Sequence, residues 1–449
     1  TELTRHFRRS KEGELAHGQS AFGLPQKNNN GGKILFMSKC SAASTLILGA
    51  LLASSTASYA EETGLFRLTD RGSPVGINAR EPSLAPLSDG RVLLSWTEES
   101  GTEAEVRMAI LNGSEWSDVR TINVSSKTYI NWADFPSVVA LAGGGLAAQW
   151  LELNGPGDYQ YDVKIAFSKD EGRSWTDSIV PHDDRSQREH GFVSLVPDQF
   201  GGLTALWLDG REYDSQTEGD SFENAMQLRA RQINFDGTMQ PESLLDVRTC
   251  TCCQTSAART ASGDIVAVYR DRTADEIRDI SAVRQADGEW TEPATIHNDG
   301  WEIAGCPVNG PAIDTMGDRI SVIWFTAAEN EPKVRIAFSD DGGAQFDEPL
   351  RIDLGAAAGR VDVLQFADGS ALALWIEYVG GGEAIVMCHV TPDAGCVAPQ
   401  ALHINRGGGS VGFPRMALGG TGAFVAWTQP ISGADGSTTI RVVEVALTP

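Results

Sequence analysis

The residues best suited to chemistry are four cysteines. Cys250, Cys252 and Cys253 fall within one tetrapeptide, Cys250-Thr251-Cys252-Cys253, and Cys306 stands further on between Gly305 and Pro307. Thiols grouped in this way either pair as two disulfides or converge as thiolates on a soft metal ion. Complete thiol labelling of unreduced protein would exclude the disulfides. Cys388 and Cys396 differ: they flank a turn containing Pro392, Asp393 and Gly395, and a cross-hairpin disulfide is expected there.

Charged residues form a second group. Tyr269-Arg270-Asp271-Arg272, followed by Glu276-Ile277-Arg278-Asp279, reads either as a reactive loop or as a salt-bridged hairpin. The acidic stretch from Asp209 to Glu223 could form a lid or a weak calcium site, but it lacks EF-hand spacing. His182 and His190 have no further metal-ligand pattern and read as loop histidines. A phosphate-binding loop, a Gly-x-Ser-x-Gly elbow, a His-Glu-x-x-His helix and a dinucleotide fingerprint are all absent. No cofactor is therefore expected beyond a metal at the thiols.

These residues must be positioned by a repeating framework. Ser168-Lys169-Asp170-Glu171-Gly172-Arg173-Ser174-Trp175 returns as Ser339-Asp340-Asp341-Gly342-Gly343-Ala344-Gln345-Phe346, each time after an apolar run ending Ile-Ala-Phe. Asp170 and Asp341 can accept from turn amides, Gly172 and Gly343 can take positive φ, and Trp175 and Phe346 can pack beneath. Looser relatives end at Trp116 and Trp290. A second periodic feature, an apolar run ending in an aromatic, gives Trp96, Trp150, Trp207, Tyr269, Trp324, Trp375 and Trp427, spaced 51 to 62 residues apart. Such a spacing suits four-stranded propeller blades. The fold expected is all-β, a β-propeller of seven four-stranded antiparallel blades, with a strand near Phe66 closing the ring.

The Ser-x-Asp-x-Gly-x-x-aromatic pattern resembles the Asp box of the sialidase-type propellers. That resemblance implies six blades, whereas the aromatic spacing gives seven. It also implies cleavage of terminal sialic acid by an arginine triad, a Tyr nucleophile assisted by Glu, and an Asp acid. Arg80-Glu81-Pro82 resembles the Arg-Ile-Pro element that bears the first triad arginine, with Glu81 in place of Ile. The remaining arginine candidates are Arg211, Arg270, Arg278 and Arg360. Glu377 and Tyr378 are candidates for base and nucleophile, and Asp134 for the acid.

Blade topology sorts the loops independently of any family. The Asp-box turns mark one face, and a glycan or other small ligand is expected on the opposite face. That face collects Trp132, Asp134, the cysteines and the candidate arginines.

Residues 37–60 read as a secretory signal with Lys39, an apolar stretch from Ala42 to Ala53, and cleavage after Ala60. Residues 1–36 read as an extension before it, with the propeller filling 61–449 and the protein periplasmic or secreted. The apolar stretch is too short to span a bilayer. Residues 61–449 carry 29 basic against 57 acidic residues, a net charge of −28. Such a surface repels nucleic acid and anionic membranes. An anionic sugar would need a local arginine cluster. Three classes therefore stand: an exported sialidase-type hydrolase, a non-catalytic glycan- or protein-binding propeller, and a thiol or metal-site protein.

Overall fold

The computed structural model describes residues 65–213, 224–431, 433 and 436–447. The expected leader (37–60), the expected extension before it and most of the acidic stretch lie outside the described residues. Among the described residues no helix is long and apolar enough to cross a membrane.

Seven antiparallel sheets form the blades. Their innermost strands are Ala79–Pro86, Ser137–Ala140, His190–Pro197, Ser256–Arg259, Ala312–Met316, Ala357–Gln365 and Arg415–Leu418, each touching the next, and the seventh touching the first. Phe66–Asp70 pairs with Thr438–Leu447 and closes the last blade, as the sequence pattern predicts. Blade 2 has three strands. Its outer edge is a single bridge, where Ile165 and Ile179 exchange backbone hydrogen bonds of 2.9 and 2.8 Å.

Seven buried apolar clusters fill the seven gaps between neighbouring blades. Each periodic aromatic packs against the preceding blade: Trp96 against blade 7, Trp150 against blade 1, Trp207 against blade 2, and so on around the ring. These large side chains set the spacing of the blades, and replacing a fully buried one with Ala should cost about 3–5 kcal/mol.

The aromatics lie inside their strands, which run on beyond them. The reason is a second regularity. The indole N–H of Trp96, Trp150, Trp207, Trp375 and Trp427 donates to the side chain two residues on, namely Glu98, Glu152, Asp209, Glu377 and Gln429. A buried indole requires an acceptor, and position i+2 on the same strand face supplies it.

Both copies of the eight-residue pattern form the same turn. Ser168 Oγ donates to Asp170 at 2.9 Å and accepts from the Gly172 N–H at 2.8 Å, and Ser339 does the same with Asp341 and Gly343 at 2.8 and 3.0 Å. Gly172 and Gly343 have φ of 86° and 81°. Trp175 and Phe346 pack under the turns. Cys388 and Cys396 are disulfide-bonded across their hairpin, as expected.

Candidate functional site

The face opposite these turns is built from the starts of the innermost strands. Ser83, Ser137, Ser194, Ser256, Ala312, Asp362 and Arg415 each pair with the residue just before their blade's aromatic. Two residues earlier, Glu81, Phe135, Phe192, Gln254, Gly310, Arg360 and Phe413 therefore share one level around the mouth of the central channel. Pro follows at four of these places (Pro82, Pro136, Pro311, Pro414), where the inner sheet edge has no neighbour needing an N–H donor. Glu81, Phe192 and Arg360 take φ of 58°, 54° and 54°, each where the strand register shifts. Three non-glycine residues in the left-handed region at one level mark the mouth as locally strained, which is common where side chains are aimed at a ligand.

Cross-blade hydrogen bonds hold the mouth together. The Phe192 N–H donates to Asp134 at 2.8 Å, Glu81 N–H to Thr428 at 3.1 Å, Arg360 N–H to Asn309 at 2.7 Å and Met416 N–H to Asp362 at 2.7 Å. Gln254 spans the opening: its amide donates to the Ala133 carbonyl of blade 2 and accepts from the Gly310 N–H of blade 5 at 3.1 Å. Beneath lies a cavity of about 380 Å³ walled by hydroxyls of Ser83, Ser137, Ser194 and Thr255, with Asp134, Asp314 and Arg415.

On one side of the mouth, aromatics and guanidinium groups alternate. Trp132 and Phe413 rings lie 5.5 Å apart, and Phe135 and Phe413 lie 5.7 Å apart. Arg360 covers Trp132 and Phe413 at 5.3 and 5.9 Å, and Arg415 lies 5.2 Å from the Phe135 ring on the channel side. Trp132 keeps half of its surface exposed. Arg80, Glu81, Trp132, Phe135, Ser410, Gly412 and Phe413 line a pocket of about 180 Å³, and Arg360 donates to Ser410 in its wall.

The five candidate arginines separate. Arg80 lines this pocket and Arg360 lies behind its wall, with Glu99 and Glu383 as partners at 3.5 and 3.0 Å. Arg270 is buried and donates to three carbonyls, of Asn309, Arg278 and Phe325, at 2.6–2.9 Å. Arg278 is buried against Glu276 at 2.7 Å and the Cys250 sulfur at 3.6 Å. Arg211 forms a bidentate pair with Asp209, both contacts 2.7 Å. The salt-bridged-hairpin reading of the 269–279 segment thus describes its geometry, and no three candidate arginines converge on the pocket.

Glu377 and Tyr378 lie within a strand rather than in a loop, because that strand runs on to Val379. Glu377 accepts from Trp375 at 2.9 Å and from the Leu354 and Ala356 amides at 2.7 and 2.9 Å, and neither residue lines the mouth pocket. Asp134 does lie at the channel wall. Burial pushes its carboxyl up to about 7 despite the Phe192 amide. Two further carboxyls share this environment: Glu81 and Glu189, each pushed up to about 8 by burial. Glu189 accepts from the Tyr161 hydroxyl at 2.7 Å, and Tyr129 stacks on Tyr161 at 4.6 Å.

His182 and His190 are fully buried and stack face to face at 3.8 Å. His182 Nδ1–H donates to the Asp184 carbonyl at 2.8 Å, and burial holds its ring neutral, down to about 3. The pair sits in the gap between blades 2 and 3 rather than on a loop surface.

The four remaining thiols are free, which corrects the two-disulfide expectation. They do converge, because the loops entering blades 4 and 5 run side by side: Thr251 Oγ1 lies 3.8 Å from Cys306 Sγ.

The sequence reading places Trp132 on this face but does not single out Phe413, 281 positions further on. The x-Pro level shared by Glu81-Pro82, Phe135-Pro136 and Phe413-Pro414 is the signal that could have found Phe413.

No family model matches this chain, and no curated protein matches it. Among solved structures, a Dyadobacter fermentans protein of unknown function aligns with TM-score 0.47 and 12% identity over 85% of this chain and 99% of that one. A GH93 α-L-arabinofuranosidase of Fusarium graminearum aligns with TM-score 0.45 and 12% identity, over 82% and 93%. The NanB sialidase of Streptococcus pneumoniae aligns with TM-score 0.41 and 13% identity, over 82% and 68%. Identities of this order fix no residue's role.

Proposed function

We propose that this is an exported propeller that binds an acidic saccharide at the mouth of its channel. The observation that carries this reading is the Trp132 pocket. An exposed indole offers an apolar face for a sugar ring, and Arg80 and Arg360 flank it with guanidinium groups suited to a carboxylate. This is the local arginine cluster that a chain of strongly negative charge requires if it is to hold an anion. The Cys388–Cys396 disulfide fits an oxidising, exported setting.

A hydrolytic reading of sialidase type rests on a different observation, the Tyr161–Glu189 pair beside Asp134. Asp134 would be largely protonated at mildly acidic pH and able to serve as an acid. Against this, burial and the neighbouring carboxyls push the Tyr161 hydroxyl far up, the wrong direction for a nucleophile. Binding is therefore the favoured reading.

The test is a titration of intrinsic fluorescence with sialyllactose, an oligogalacturonate and lactose. Binding of an acidic ligand but not of lactose is expected, with at least a tenfold loss on Trp132→Ala. Equal binding of lactose, or none by any of the three, would contradict the proposal. Release of sialic acid that is abolished by Tyr161→Phe would instead favour the hydrolase.

A further inference from the structure

On the other side of the mouth the thiols form a cluster that the saccharide pocket does not use. Cys250 Sγ lies 3.0 Å from Cys253 Sγ and 3.8 Å from Cys252 Sγ, and all three sulfurs fall within 4.8 Å of one another. Cys306 stands beside them, its sulfur 3.8 Å from Thr251 Oγ1. Access is graded: Cys250 and Cys253 are buried, Cys252 is half-buried and Cys306 is exposed. The cluster thus has a closed floor and one open side on the ligand-facing surface.

The framework around the sulfurs is rigid. The Cys250 N–H donates to the Arg270 carbonyl at 3.0 Å, and Gln254, next to Cys253, is pinned at both ends of its amide. A Cβ on Gly310 would come within 2.2 Å of the Gln254 carbonyl oxygen, so a glycine is required for the strand after Cys306 to approach this closely. The buried guanidinium of Arg278 faces Cys250 at 3.6 Å, and Arg270 adds positive charge near Cys253.

We infer that Cys250, Cys252 and Cys253 form a binding site for one thiophilic metal ion of the Zn(II) or Cu(I) class, with Cys306 as the solvent-side fourth ligand. Sulfur geometry supports this. Zn–S bonds of about 2.3 Å in a tetrahedron place sulfurs about 3.8 Å apart, and trigonal Cu(I) needs a similar edge. The Cys250–Cys252 separation already has this value, and the Cys250–Cys253 separation must open by less than about 1 Å. Thiolates select soft ions over calcium or magnesium, and two guanidinium groups offset the excess negative charge. The site needs nothing from Trp132, so it stands or falls separately from saccharide binding.

The test uses the full chain, reduced and handled without oxygen, with Cd(II) as probe. One Cd(II) per chain is expected, with thiolate-to-cadmium charge-transfer absorption and protection of the four thiols from alkylation. Cys250→Ser should weaken binding at least a hundredfold, Cys306→Ser by about tenfold with the stoichiometry kept. Because Cys250→Ser could disturb folding, protection of the wild-type thiols serves as the independent readout. Metal analysis of protein purified without chelator distinguishes zinc from copper as the native ion. Four thiols that stay reactive with Cd(II) present, or a Cys250–Cys253 disulfide that forms in the native protein and resists mild reduction, would overturn the inference.

Discussion

The two sides of the channel mouth use arginine in opposite ways. Toward blades 6, 7, 1 and 2, Arg80 lines a pocket that holds the exposed Trp132 ring, and Arg360 stacks on that ring. Toward blades 4 and 5, Arg270 and Arg278 are buried, spent on backbone carbonyls and on the Glu276–Cys250 pair. One arc leaves its guanidinium groups partly exposed, 28% for Arg80 and 14% for Arg360, each paired with a glutamate, and the other encloses them beside a thiol cluster. Residue type alone does not separate a ligand-binding arginine from a structural one. What separates them is how completely the fold encloses the guanidinium.

The largest effect expected is a test of this contrast. Arg270→Met would leave three carbonyls unpaired in the interior and should cost about 3–5 kcal/mol, whereas Arg360→Met should cost about 1 kcal/mol or less. Denaturant unfolding measures both, and equal costs would erase the distinction between the arcs.

Next in size is the pH response of Asp134, which lies between the arcs. Folding raises its carboxyl from 3.8 to about 7, so between these values the folded chain binds more protons than the unfolded one. Its contribution to stability is therefore greatest below about pH 4 and falls as the pH rises to about 7, by at most about 4 kcal/mol. Asp134→Asn keeps an acceptor for the Phe192 amide and should flatten this part of the melting-temperature profile. An unchanged slope would remove Asp134 as its source.

Smaller still is the link between the arcs. Gln254→Ala orphans the Ala133 carbonyl and the Gly310 N–H and should cost about 1–2 kcal/mol. If the arcs are mechanically joined there, amide exchange near Ala133 and Gly310 should accelerate together. Acceleration at one end only would show that they are not.

Much of the fold was legible in the sequence because interblade packing needs one large aromatic per blade, and seven such residues recur at nearly even spacing. The site was legible in part. Arg80, Arg360, Asp134 and the cysteine cluster stand at the mouth because they precede or open innermost strands. Glu377 lies away from the mouth pocket, and the sequence carries the reason: Trp96/Glu98, Trp150/Glu152, Trp207/Asp209 and Trp427/Gln429 repeat its pattern, and each partner accepts an indole N–H. The burial of Arg270 and Arg278 and the meeting of Trp132 with Phe413 depend on closure of the ring, which leaves no local mark in the chain.

The most direct measurement is the affinity of sialyllactose for the wild-type protein and for the Arg80→Met, Arg360→Met double variant at constant ionic strength. The account predicts saturable binding that falls at least a hundredfold in the double variant while the melting temperature changes by only a few degrees. Binding that survives loss of both guanidinium groups would contradict it.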